Sequence, residues 1–278
     1  MEGLVGKQEE QRIAVRRKKQ VKSEHKMEMK ARARNIRLTV AYDGTNYHGF
    51  QRQSPPVVAV QNVLERKLEV IFGDTIELAA SGRTDAGVHA YGQVVNFFTN
   101  GRIPVERIPL AVNSLLPPDI VVLEASEESF DFSARHSARS KTYLYRIQQG
   151  RLANPFTRLY AWHVNRPLNT GEMQEALSMI LGTHDFSGFR ASGGAPMSPV
   201  RTMYRAELIE KPEEILEIVI HGNGFLYHMV RNIVGTLVDV GLGRISSEEF
   251  QEILLSKNRQ KASPTAPACG LFLSSVEY

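Results

Sequence analysis

Two hydrophobic periods alternate along this chain, and their order limits the possible folds more than any other feature. Ile36, Leu38, Val40 and Tyr42 alternate with Arg37, Thr39 and Ala41, the period of two that marks a half-buried strand. After a glycine- and aromatic-bearing loop at 43–57, Val60, Val63, Leu64, Leu68, Ile71 and Phe72 recur at helical spacing. Ala59, just before them, is a poor N-cap, so the start of that helix is weakly marked. Further strands are predicted at 76–80 and 91–99, a helix at 104–114 and a strand at 119–125. The resulting order, β-α-β-β-α-β, is ferredoxin-like. A second unit follows, with strands at 140–148, 200–209, 215–221 and 271–277 and helices at 170–181, 225–241 and 247–255. The expected fold class is α+β. Residues 1–34 form an extension, 35–138 a first ferredoxin-like half and 139–278 a second, a duplication inferred from element order alone. The Gly/Ser/Pro-rich stretches 191–199 and 262–268 read as loops, the first a candidate substrate contact.

Composition excludes several classes of function. With 278 residues, 42% of them apolar, the chain can build a core. Its single cysteine, Cys269, rules out an internal disulfide, and no cluster of His, Cys or carboxylates has metal-ligand spacing. No apolar run approaches the roughly 18 residues of a membrane span, so the expected setting is the cytoplasm, with no metal and no membrane partner. The formal charge of +4 is uneven: residues 1–34 hold 11 Lys and Arg against 5 acids, the remainder 23 against 25. The extension reads as a solvated tail rather than an RNA-binding arm. If the folded part binds a polyanion, it does so through a local positive cleft and not an overall field.

Ser81-Gly82-Arg83-Thr84-Asp85-Ala86-Gly87-Val88-His89 holds an arginine and a carboxylate between two glycines, directly after a strand-like run. Gly82 and Gly87 permit tight or positive-φ turns, and Arg83 can pair with the Asp85 charge. Asp85 is the candidate nucleophile, set against the plainer reading of an Asp-Gly turn.

Four more segments carry recognisable patterns. Tyr42–Gln53, which includes Gln51 and Arg52, is a glycine-hinged loop with rings and polar groups suited to unpaired RNA. In Lys141–Arg146, Tyr143 and Tyr145 share one strand face; Tyr145 reads as core. In Gly224–Gly235, Leu226, Met229, Val230 and Ile233 form one helical stripe, with Tyr227, His228, Arg231, Asn232 and Gly235 on the other side. Pro264–Leu271 reads as a structural loop entering the last strand. Together with 81–89, and in this order, these strings resemble the tRNA pseudouridine synthase A family over residues 36–278. Phe50 stands where the family has tryptophan, which removes an indole N–H.

The resemblance implies two ferredoxin-like (RRM-like) halves joined into a pseudouridine synthase fold around a central cleft. It implies an isomerase that converts uridine to pseudouridine at positions 38, 39 and 40 in the anticodon stem-loop of tRNA. It also implies that no cofactor is needed and that the active form is a homodimer. By the same resemblance Asp85 is the nucleophile, Tyr143 lies against the target uracil and is a candidate for moving its C5 proton, and Arg231 stands beside Asp85. Arg83 fills the space of the displaced base, and Gln51 and Arg52 bind substrate. Two rival classes remain. A non-catalytic RNA-binding module has no use for a glycine-framed Asp. A nucleoside hydrolase or glycosidase needs a second carboxylate, for which Asp185 is the candidate and free uracil the diagnostic product.

Overall fold

The computed structural model describes residues 32–194 and 197–278. Nearly all of the expected tail, and residues 195–196 of the expected 191–199 loop, lie outside the described residues.

Among the described residues, ten strands form one sheet. β1 (Arg34–Tyr42), β3 (His89–Thr99) and β4 (Ile120–Glu128) lie at one end; β5 (Ser140–Gln149), β7 (Gly182–Asp185), β8 (Val200–Lys211) and β9 (Ile215–Gly222) lie at the other. β10 (Leu271–Glu277) joins them, giving the order β4-β1-β3-β10-β5-β9-β8-β7. β2 (Ala79–Ala80) pairs with β3, and β6 (Trp162–Val164) pairs with β5. β10 runs parallel to β3, Phe272 opposite His89 and Leu273 opposite Ala90, and antiparallel to β5. The last strand of the chain therefore closes the centre of the sheet.

The period of two sorts side chains to two faces. Tyr143, Tyr145 and Ile147 stand opposite Ile220, Ile218 and Leu216 on the helix-covered face. Leu144 and Arg146 stand opposite Val219 and Glu217 on the other. Tyr145, Ile147, Ile218 and Ile220 have no exposed surface, and each aliphatic side chain buried in this way contributes about 1.5–3 kcal/mol.

Helix α1 (Val60–Phe72) buries Val60, Leu64, Leu68 and Phe72, one residue per turn. Its weak N-cap is offset from outside the helix. The Val60 and Gln61 N–H groups donate to the carbonyls of Gly49 (3.2 Å) and Phe50 (2.9 Å), so the aromatic loop caps the helix that follows it. The expected 104–114 helix divides into a 3-10 turn, Val105–Arg107, and α2 (Ile108–Asn113). Pro109 has no amide hydrogen and fits only the first turn of an α-helix. α3 (Thr170–Ser178) is shorter than expected, and α5 (Ser247–Ser256) carries a Ser246/Glu249 capping box.

Helix α4 (Met229–Gly241) departs most from expectation. It begins four residues late, because His228 adopts φ 58°, ψ 8°, in the left-handed region, and caps the helix instead of entering it. Its second side is not a surface either. Asn232 and Thr236 are fully buried, and Asn232 takes hydrogen bonds from Arg259 (3.0 Å) and Thr265 (2.6 Å) and donates to the Phe189 carbonyl (2.8 Å). A Cβ at Gly235 would lie 2.1 Å from the Pro264 oxygen; glycine lets the 264–266 segment lie directly on the helix.

Candidate active site

Asp85 sits on the loop between β2 and β3, and nearly every backbone turn of that loop is fixed. Ser81 N–H donates to Val94 O (2.8 Å) and Val88 N–H to Asp85 O (3.1 Å). The Ser81 hydroxyl donates to Gln93, whose amide donates to Gly82 O (2.7 and 2.9 Å). The Thr84 hydroxyl bonds the buried Tyr42 hydroxyl at 2.7 Å. The 43–53 loop lies alongside: Phe50 N–H donates to Thr84 O (3.1 Å) and Gly87 N–H to Tyr47 O (3.3 Å). A Cβ on Gly49 would come within 2.7 Å of Thr84 O. Phe50 is 1% exposed and packs on Tyr42 with ring centroids 5.9 Å apart; in this chain the ring is core.

Two groups from the start of helix α4 meet the carboxylate. Arg231 Nη1 lies 3.1 Å from Asp85 Oδ2, and His228 Nε2 lies 3.2 Å from the same oxygen. Oδ1 accepts no hydrogen bond among the described residues. Arg231 is itself held, since its Nε donates to Ala266 O (2.8 Å) while Ala266 N–H donates to Arg231 O (3.1 Å). The Pro264–Leu271 segment thus has a structural role of a definite kind: it fixes the guanidinium that meets Asp85. Burial lowers the His228 pKa from its ordinary value, with Asp85 opposing and Arg231 and Arg259 reinforcing the shift. The lowered pKa favours the uncharged ring, whose Nε2 stands within 3.2 Å of Asp85 Oδ2.

Tyr143 is buried, meets Phe225 edge-on at 4.8 Å, and stands near Tyr42 and Asp85. Burial first, then those two neighbours, push its pKa well upward. The side chain is a phenol, suited to supporting a ring or sharing a proton and costly as a standing phenolate base. Tyr145 is core, its hydroxyl donating to Pro267 O at 2.8 Å.

The other expected residues are placed differently. Arg83 is exposed and makes no ion pair among the described residues; the partner of Asp85 is Arg231 instead. Gly87 has φ 76°, as expected, but Gly82 does not need a positive φ. What it provides is room: a Cβ there would lie 2.8 Å from Lys141 Nζ. Gln51 and Arg52 are exposed at the rim of the loop, and Arg52 is shared between Glu65 (3.2 Å) and Glu77 (3.8 Å). Asp185 caps a 3-10 turn through Ser187 N–H and pairs with Lys257 (3.3 Å), so its oxygens are already used. His228 was missed as a site residue, because the left-handed backbone that turns it toward Asp85 lies outside the helix and leaves no mark in the hydrophobic period. Among the described residues, no group of three or more His, Cys, Asp or Glu could hold a metal ion, and no helix is long and apolar enough to cross a membrane.

A family model described as tRNA pseudouridine synthase matches residues 38–137 and 176–278. The chain is 49% identical over 245 residues to the tRNA pseudouridine synthase A of Thermoanaerobacter sp. (strain X514), covering 88% of this chain and 100% of that relative. To the tRNA pseudouridine synthase A of Acetivibrio thermocellus it is 45% identical over 245 residues, with the same coverage of both chains. To that of Lacticaseibacillus casei it is 46% identical over 248 residues, covering 88% and 99%.

Proposed function

The chain belongs to the tRNA pseudouridine synthase family, and we propose that Asp85 is the nucleophile with which it isomerises uridine to pseudouridine in tRNA. The observation that carries this assignment is the convergence of Arg231 and His228 on one oxygen of Asp85, with its other oxygen open and Tyr143 buried close by.

The chemistry is an internal rearrangement. The N1–C1′ bond breaks, the uracil turns over, C5 bonds to C1′, the C5 proton leaves and N1 gains a proton, so no atom is lost overall. Asp85 Oδ1 forms the covalent bond, to C1′ of the sugar or C6 of the base, with its own electron pair, and takes that pair back as the bond breaks on product release. In this reading Tyr143 supports the uracil and its phenol relays the C5 proton. Arg83, exposed on the same loop, occupies the gap left by the displaced base, whose unstacking costs on the order of a few kcal/mol. Gln51 and Arg52 contact RNA at the rim.

We read the substrate site as the anticodon stem-loop, at positions 38, 39 and 40, and the fold as two ferredoxin-like halves bounded at residues 35–138 and 139–278. The strand order β4-β1-β3 with β2 at its edge supports the first half. A cytoplasmic setting fits the lone cysteine. A homodimer fits the exposed apolar side chains Tyr91, Val121, Leu123 and Phe156.

The test uses purified protein, excess chelator and a folded tRNA transcript tritiated at uridine C5. Isomerisation releases tritium to water one-for-one with pseudouridine and yields no free uracil. Free uracil would restore the hydrolase reading, and binding without tritium release would restore the RNA-binding module.

A further inference from the structure

Lys141 lies on β5 two residues before Tyr143 and on the same face, about 7 Å along the strand. Its ammonium reaches under the Asp85 loop and donates to Ser81 O at 2.6 Å, directly against the bare Cα of Gly82. Arg135, from the segment that leads into β5, and Arg201, at the start of β8, are near enough to act on its charge. Arg201 spends its donors on the carbonyls of Ser198 (2.8 Å) and Val200 (2.6 Å) and on Met197 Sδ (3.1 Å). Among the described residues none of these three cations pairs with an acid. The acid on the adjoining strand, Glu277, belongs to the opposite face, where it meets Ser140 and His221.

A lysine held under the Asp85 loop without an ion pair among the described residues, with the charges of Arg135 and Arg201 acting on it, is unfavourable until an anion approaches. We propose that Lys141, with Arg135 and Arg201, binds a backbone phosphate of the substrate RNA next to the uridine that Tyr143 and Asp85 hold. The inference rests on the reading of this cleft as the tRNA site. Its geometry places the phosphate one nucleotide's reach from the ring support, so the contact fixes which base enters. Gly82 is needed because any side chain there would displace the ammonium. Burial first, then Arg135 and Arg201, lower the Lys141 pKa to about 8. A phosphate arriving beside it raises that pKa again, so RNA binding takes up a proton when the pH is near or above 8.

The experiment measures equilibrium binding of a folded tRNA transcript from pH 7 to 9 and across a salt series, with tritium release by wild-type protein followed in parallel. Wild-type affinity should fall several-fold as pH rises through 8. Lys141→Arg, whose charge does not titrate in this range, should keep the pH 7 affinity and lose that fall. Lys141→Met should bind several-fold more weakly at pH 7, and its slope of log affinity against log salt should be shallower by about 0.7 to 0.9, the value of one phosphate contact. Inorganic phosphate, added at constant ionic strength, should compete with RNA for wild type only weakly; strong competition restricted to wild type and Lys141→Arg would assign the site to free phosphate and overturn the RNA contact. A Lys141→Arg protein that keeps the wild-type pH dependence would overturn it too, even if Lys141→Met fails to fold. Loss of tritium release with these binding effects intact would count against the catalytic reading alone.

Discussion

Asp43 and Asp85 are both loop aspartates with a histidine beside them, yet they are bound in opposite ways. Asp43 Oδ1 accepts from Thr45 N–H (2.9 Å) and the Thr45 hydroxyl (2.6 Å) and lies 3.0 Å from His89 Nδ1, while Oδ2 accepts from Tyr160 (2.7 Å). Burial acts to raise its pKa, but the bonds from Thr45 and Tyr160 and the nearby His89 outweigh it, and the net shift is downward. Every lone pair that matters is occupied. Asp85 has Arg231 and His228 on Oδ2 alone. The difference separates an aspartate that organises a turn from one that is oriented and left with a reactive oxygen.

The largest effect short of removing Asp85 itself should come from Arg231→Lys. It keeps a charge but loses the fork that bonds Ala266 and Asp85 together, so the single-turnover rate on saturating tRNA should fall about 100-fold with affinity little changed. A near-normal rate would make Asp85 as independent of its partner as Asp43 is of catalysis. Gly235→Ala attacks the same pair from behind. Its Cβ must displace Pro264, which should cost about 1–3 kcal/mol of stability in a denaturant titration and slow turnover by moving Arg231. An unchanged rate in the folded variant would show that the 264–266 segment does not position the guanidinium.

His228→Phe should slow turnover about tenfold near pH 7.5, because it removes the polar ring nitrogen that stands 3.2 Å from Asp85 Oδ2. His228→Gln, which keeps an N–H, should recover most of that loss. Because the ring pKa is depressed, wild-type activity should decline only as pH falls below the ordinary histidine value, as the ring gains a charge and draws on Oδ2. The same shift makes the histidine's contribution to stability present above the unfolded pKa and lost as pH falls toward the folded one. An acid limb unchanged in His228→Gln would assign it elsewhere. The smallest effect is expected from deleting residues 1–28: the saturated rate should be unchanged, and a shallower salt slope would show that the basic extension touches RNA.

Much of this site was legible in the sequence because periodicity reports faces. The stripe through Val60, Leu64 and Leu68 gave α1, and the alternation at 141–145 placed Tyr143 and Tyr145 together. Arg231 was recognisable as lying off the hydrophobic stripe of its helix. What periodicity does not report is backbone approach. The left-handed turn at His228, which delays α4 and aims the ring at Asp85, comes from tertiary packing. β6 and β7, of three and four residues, are too short to show an alternation. The use of Gly82 as a space for Lys141 depends on a strand nearly sixty residues later, and the burial of Asn232 and Thr236 depends on the 259–266 segment closing over them.

The most direct test of the distinction between the two aspartates is the matched pair Asp85→Asn and Asp43→Asn, each measured by single-turnover tritium release on saturating tRNA beside an equilibrium binding curve. Asp85→Asn should bind tRNA with near wild-type affinity and lose at least about four orders of magnitude in rate. Asp43→Asn should lose stability, by about 1–3 kcal/mol, and retain a rate within about tenfold of wild type while folded. A folded Asp85→Asn protein that turns over at close to the wild-type rate would contradict the assignment of Asp85 as nucleophile.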